Sequence, residues 1–229
     1  DTGRTDPFEA LVRWHHPRKG ILSPAAFLDL AEDAGLELLL GDVVLRSACR
    51  TLRSLPAHVS VGVNLSVAQL ADRGLCDRIG LILAEHDLPA RRLVVEITEH
   101  ATLTRRPGGG RVSPEHTLEQ LRAMGISLCL DDFGTGYSSL THIRRYPLSA
   151  IKIDRSFVGG MIEHSEDHAV VAAMIGMADA LGLDVVAEGL HRIVLDREDE
   201  VERLENVECF SDGHAAGRWR RHEDQLVLM

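Results

Sequence analysis

Short runs of β-branched and aliphatic residues alternate along this chain with longer segments whose apolar positions recur at helical spacing. That alternation predicts βα units around a parallel sheet. Strands are expected near Phe8–Arg13, Val59–Asn64, Leu93–Ile97, Ser127–Asp131, Ala150–Ile153 and Leu183–Ala187, with a weaker one at Val207–Phe210. Each is only a few residues long, as buried parallel strands are. The helices between them have readable ends. Ser23-Pro24 supplies an N-cap and a proline at the first helical position, and Gly35 closes that helix. Ser113-Pro114 repeats the device, with Gly125 as the stop, and Ser165 opens a helix that Gly182 ends. In this last helix Val170, Ala173, Met174, Met177 and Leu181 fall on one face, a stripe that reads as core packing.

A length of 229 residues suits one large α/β domain spanning 1–229, and the order of elements points to a TIM-like (β/α)8 barrel. The count reaches about seven strands where a closed barrel needs eight. Asp1-Thr2-Gly3-Arg4 reads as the turn of a hairpin, so the first strand is expected upstream of this numbering. No internal repeat is visible. Arg105–Arg111, with Gly108, Gly109 and Gly110 in a row, lacks the ending of a phosphate-binding loop and reads as a surface loop.

The net charge of −10 argues against wrapping duplex nucleic acid. It leaves room for a small anionic ligand where metals neutralise the site. Cys49, Cys76, Cys129 and Cys209 are scattered without a CxxC pair, as reduced thiols of a cytoplasmic protein are. No apolar run approaches the roughly 20 residues of a membrane span, so any membrane anchor of a full-length protein would lie outside this chain.

Polar groups recur where the strands end. Glu9 lies on the first strand, Asn64 ends the next, Glu96 sits in the third and Asp131-Asp132 ends the fourth. Lys152 and Asp154 stand at the fifth, and Glu188 follows the sixth. Burying such groups without partners costs several kcal/mol each, so packing alone does not explain them. In a TIM barrel all strand C-termini converge on the face that carries the active site. Carboxylates gathered there repel one another unless cations sit between them. Oxygen donors without histidine or thiolate select magnesium or manganese over zinc. Adjacent aspartates suit a pair of ions about 3.5–4 Å apart, the arrangement used for in-line displacement at phosphorus.

Glu9-Ala10-Leu11, with Val12-Arg13-Trp14-His15-His16-Pro17 after it, resembles the signature of the EAL phosphodiesterases. So do Asn64-Leu65-Ser66, Glu96-Ile97-Thr98-Glu99, the run from Asp131 to Leu140 (DDFGTGYSSL), Lys152–Phe157 (KIDRSF) and Ala187-Glu188-Gly189. The resemblance implies a TIM-like barrel that hydrolyses cyclic di-GMP to linear 5′-pGpG with two Mg2+ or Mn2+. It implies that Glu9, Asn64, Glu96 and Asp131 hold one ion, and that Asp131, Asp132 and Glu188 hold the other. Lys152 and Asp154 would position the attacking water. Glu99 would brace the loop from Asp132 to Leu140, which in the family couples the metal site to a homodimer interface. Leu11, Arg13 and Asp212 fall at substrate-binding positions. An N-terminal regulatory or GGDEF-type domain is the expected neighbour in a full-length protein.

After Gly189 the resemblance frays. His191 stands where the family has a glutamate, and Asp212 where it has a glutamine. Two alternatives therefore stay open: a weak or inactive EAL domain serving as a cyclic di-GMP receptor or interaction module, and an unrelated barrel acting on another phosphoester.

Overall fold

The computed structural model describes residues 6–98, 113–135, 143–160, 165–188, 207–210 and 226–228. In chain order its strands are β1 (Asp6–Val12), β2 (Trp14–His16), β3 (Gly20–Leu22), β4 (Val59–Asn64), β5 (Leu93–Thr98), β6 (Ser127–Phe133), β7 (Ala150–Ile153), β8 (Asp184–Glu188), β9 (Val207–Phe210) and β10 (Leu226–Leu228). The α-helices are α1 (Leu28–Asp33), α2 (Glu37–Ser54), α3 (Val67–Leu70), α4 (Leu75–Glu85), α5 (Pro114–Ala123), α6 (Arg155–Gly160) and α7 (Ser165–Leu181).

Two compact units divide the chain. The first comprises Asp1–Ile97, Ala101–Leu128 and Gln225–Met229, and the second comprises Thr98–His100 and Cys129–Asp224. In the first, β10, β1, β4 and β5 pair side by side, all parallel. Its β4 shows why the sequence makes a strand. Val59, Val61 and Val63 alternate with Ser60, Gly62 and Asn64, so one face is wholly β-branched, and only Asn64 at the end is exposed. Helix α2 turns Gly41, Leu45, Ala48, Cys49 and Leu52 inward. A buried guanidinium then fixes the turn from α2 into β4. Arg92 Nε donates to the Val59 carbonyl at 2.7 Å, and its Nη2 donates to the carbonyls of Leu52 (3.0 Å), Leu55 (3.1 Å) and Pro56 (2.7 Å). A cation is favourable at that helix C-terminus because the unsatisfied carbonyls there carry partial negative charge. The short β2–β3 hairpin is antiparallel, and His16 Nδ1 accepts the Arg18 and Lys19 backbone N–H groups in its turn.

In the second unit β6, β7, β8 and β9 follow one another, again all parallel. Here α7 buries Val171 and Ala178, while Val170 is 39% exposed. The expected stripe through Val170, Ala173 and Met177 is thus rotated by about one position. The segment is apolar nearly all round, so the spacing rule had no polar face to orient it.

Strands stand where the alternation put them, with Val59–Asn64, Ala150–Ile153 and Val207–Phe210 matching to the residue. The helix expected after Ser23 is broken into a 3-10 turn at Pro24–Ala26 and α1, with Gly35 beyond it at φ 69°. Leu226–Leu228, which pairs with β1, was not foreseen. The segments at Asp1–Arg4 and Arg105–Arg111 lie outside the described residues. Among the described residues no helix is long and apolar enough to cross a membrane.

Candidate active site

Register places the first set of polar groups. Glu9 on β1 lies opposite Gly62 on β4, and Asn64, two residues further along β4, lies opposite Glu96 on β5. Glu9 and Glu96 therefore flank β4 from either side. The Glu96 carboxylate lies over Gly62, and one oxygen of Glu9 lies within 4.8 Å of one of Glu96. The glycine permits this: a Cβ on Gly62 would collide with Glu96 Oε1. Asn64 Nδ2 donates to Glu9 Oε1 at 2.8 Å, which leaves the amide oxygen Oδ1 to act as a ligand atom. At an effective dielectric of about 20, two unit charges this close repel by about 3 kcal/mol. A divalent cation between them removes that repulsion. The donors are carboxylate and amide oxygens, with no thiolate or imidazole among them, and they fit a hard ion such as magnesium or manganese.

The second unit reaches a related chemistry by a different local geometry. The β6–β7 register runs Leu130 to Ile151 and then Phe133 to Ile153, so Asp131 and Asp132 together oppose Lys152. This is a β-bulge, in which two residues of one strand face one of its neighbour. Asp132 has φ 54°, in the left-handed region where a side chain is strained. Regular pleating would send adjacent side chains to opposite faces, and the bulge breaks that rule at the paired aspartates. Asp132's carbonyl accepts from Thr135 N at 3.3 Å and from Thr135 Oγ1 at 2.9 Å, which holds the turn. Lys152 Nζ lies 3.0 Å from Asp131 Oδ1, both side chains being buried. Carboxylates that could hold a metal ion thus stand in both units, Glu9 and Glu96 in the first and Asp131 in the second.

Asp154, just past β7, uses Oδ1 to accept from Ser156 N at 2.9 Å and from Ser156 Oγ, capping the start of α6. Burial alone would raise its pKa. Hydrogen bonds from Ser156 and Arg155, with the Arg155 charge, outweigh burial and hold the carboxyl below its ordinary value.

The model of the EAL domain family matches residues 1–211. The chain belongs to the EAL domain family. It is 40% identical over 215 residues to the bifunctional diguanylate cyclase/cyclic di-GMP phosphodiesterase MucR of Pseudomonas aeruginosa, covering 92% of this chain and 30% of that protein. It is 43% identical over 195 residues to the cyclic di-GMP phosphodiesterase NbdA of the same organism, covering 82% of this chain and 24% of the relative. Among solved structures, the PaMucR phosphodiesterase in its c-di-GMP complex matches with a TM-score of 0.69 and 39% identity, over 84% of this chain and 76% of that one. The EAL domain has the TIM-like barrel fold of these structures. The chain spans less than a third of the length of both curated relatives.

Within the EAL domain, Glu9, Asn64 and Glu96 come together on neighbouring strands, and Asp131, Asp132 and Lys152 come together at the bulge. Leu11 lies on β1, and Arg13 follows it with Nη1 donating to the Val12 carbonyl at 2.9 Å, both half-buried. Glu188 ends β8. Glu99, His191, Asp212 and residues 136–140 of the Asp132–Leu140 loop lie outside the described residues. Gly62 was not singled out from the sequence. A glycine inside an otherwise valine-rich strand was the available signal, since such a glycine marks close approach by another group.

Proposed function

We propose that this EAL domain, acting as one domain over 1–229, hydrolyses cyclic di-GMP to linear 5′-pGpG. What supports the reading most is the Glu96 carboxylate over Gly62, close to the Glu9 carboxylate that the Asn64 amide orients. The relatives MucR and NbdA of the same family are named as cyclic di-GMP phosphodiesterases, MucR as a bifunctional one. Glu9, Asn64, Glu96 and Asp131 would hold one Mg2+ or Mn2+, and Asp131, Asp132 and Glu188 a second. Such ions, when bound, lower the pKa of water toward neutrality and offset charge on the phosphoryl oxygens. Lys152 and the remaining Asp154 oxygen position the attacking water, whose oxygen bonds to phosphorus in line as the 3′ oxygen leaves. Leu11, Arg13 and Asp212 contact the substrate, Arg13 through a planar fork suited to phosphate or guanine. Glu99 braces the loop from Asp132 to Leu140, through which a homodimer contact is transmitted. The domain works in the cytoplasm, beside a regulatory or GGDEF-type domain in a longer protein.

The decisive assay is release of 5′-pGpG from cyclic di-GMP with and without magnesium, alongside a panel of other phosphodiesters. Metal-dependent release confined to cyclic di-GMP supports the reading. Turnover in excess chelator would remove the metal mechanism. Calcium should suppress the reaction, because its longer bonds and looser coordination spoil a tight two-ion clamp. A second reading, a slow enzyme or receptor, draws on His191 and Asp212. An ionised aspartate only accepts hydrogen bonds where glutamine would also donate. His191→Glu with Asp212→Gln should then raise turnover at low magnesium, and no change in rate or affinity would remove these positions from the site.

A further inference from the structure

Just past Asn64 the chain reads Leu65-Ser66-Val67-Ala68-Gln69, and Ser66 and Gln69 have the spacing of a capping box. The box is formed. Ser66 N donates to Gln69 Oε1 at 2.8 Å, and Gln69 N donates back to Ser66 Oγ at 3.3 Å. It opens α3, which is only four residues long and has no stability of its own. What the box fixes is therefore the strand end before it. Of the three ligand candidates in the first unit, Asn64 is the most exposed, at the last position of β4. A side chain there keeps a ligand's geometry only if the backbone behind it is held. The next two N–H groups hold it. Leu65 N donates to the carbonyl of Glu96 at 2.9 Å, which ties the peptide after Asn64 to a second ligand candidate, and Ser66 N is held by Gln69.

Gln69 is seated by a glycine from another helix. Its side chain is buried, and a Cβ on Gly41 of α2 would collide with Nε2 and come within 2.8 Å of Cδ. The whole amide group would have to move. A glycine inside an 18-residue helix costs stability relative to alanine, and the room it leaves for Gln69 accounts for it. At its far end α3 is anchored by the buried Thr117 of α5, whose Oγ1 donates to the Leu70 carbonyl at 2.8 Å. We infer that Gly41, Ser66 and Gln69 are positioning residues for Asn64. The Gln69 amide, packed against Gly41, fixes the strand end from which Asn64 orients Glu9 and offers its own oxygen to a metal ion. This inference rests on the proposed metal site.

The test is manganese binding to the intact chain, measured by calorimetry without substrate. Gln69→Leu keeps the bulk and loses the acceptor, and should weaken binding about tenfold. Gly41→Ala should do the same, although alanine favours the helix, because it displaces the end of the Gln69 side chain. Ser66→Ala should also weaken binding, whereas Ser66→Thr should stay within about twofold of the parent, since threonine caps as serine does. Ser113→Ala is the control. It removes a cap of the same chemistry from α5, which bears no ligand candidate, and should leave manganese affinity unchanged. In turnover, Gln69→Leu should need about tenfold more magnesium for half its maximal rate and approach the parent's rate at saturation. Unchanged manganese affinity in Gln69→Leu and Gly41→Ala, or an equal loss in Ser113→Ala, overturns the inference. A parent chain that binds no manganese overturns it together with the metal site. Affinity that falls in these variants of a chain unable to hydrolyse cyclic di-GMP supports the inference and removes the hydrolysis alone.

Discussion

The strand ends of the two units put acidic groups forward in contrasting ways. In the first, β1, β4 and β5 keep regular register, and Glu96 reaches toward Glu9 because the strand between them has a glycine under the Glu96 carboxylate. In the second, β6 breaks register, and Asp131 and Asp132 share one neighbour at a bulge with Asp132 in a left-handed conformation. The first arrangement needs only a missing side chain. The second stores backbone strain, of the kind that collects at functional sites. Ligand geometry can therefore come from subtraction on a regular strand or from distortion of an irregular one, and the two respond differently to substitution.

The largest expected effect falls on both regions alike. Asp131→Asn and Glu9→Gln should each lower cyclic di-GMP turnover by roughly a hundredfold or more, since even outer partners of metal ligands are worth 10–100-fold. Glu9→Gln should leave thermal stability nearly unchanged, because removing a charge relieves repulsion among the other acids, whereas Asp131→Asn should lower it, because buried Lys152 loses the counter-charge at 3.0 Å. Retained turnover in Asp131→Asn would take Asp131 out of the site.

Next comes the glycine. Gly62→Val should push the Glu96 carboxylate aside and weaken manganese binding in calorimetry by about 10–100-fold. The strand itself should persist, because the atom displaced is the end of a flexible side chain. Unchanged affinity would mean that Glu96 does not need that space.

A smaller effect separates the two regions by sign. Asp132→Gly should stabilise the fold by up to about 1 kcal/mol, as glycine adopts positive φ without strain. Asn64→Gly should destabilise it by about 1 kcal/mol or more, through backbone entropy and loss of the bond to Glu9. Chemical denaturation measures both, and two shifts of the same sign would remove the contrast.

The smallest is electrostatic. Asp154's carboxyl is held low by Ser156 against the opposing influence of burial. A depressed folded pKa adds stability above the unfolded value that is lost as pH falls through the folded one. Ser156→Ala should therefore lower stability above about pH 4 and converge with the parent chain below it. After solvent screening the difference is expected to stay well under 1 kcal/mol. A gap that widened toward acid would have the wrong sign.

Legibility in the sequence followed the same division. Val59–Asn64 and Ala150–Ile153 could be read because an apolar run ended in a chemical outlier, and the outliers Asn64 and Lys152 named the site. The bulge could not be read, because Asp131-Asp132 looks like any strand end until φ is known. Leu226–Leu228 is three residues long, too short for a period-2 signal. Gly62 was legible only as an anomaly, since the group approaching it sits 34 positions further along the chain at Glu96.

The proposed role of the acidic strand ends is to hold the metal that cyclic di-GMP hydrolysis requires. It is tested most directly by following 5′-pGpG release from purified chain at rising magnesium, with Glu96→Gln alongside. Saturable, magnesium-dependent release is expected, abolished by chelator and reduced roughly a hundredfold by Glu96→Gln. Release indifferent to magnesium, or untouched by Glu96→Gln, would contradict it.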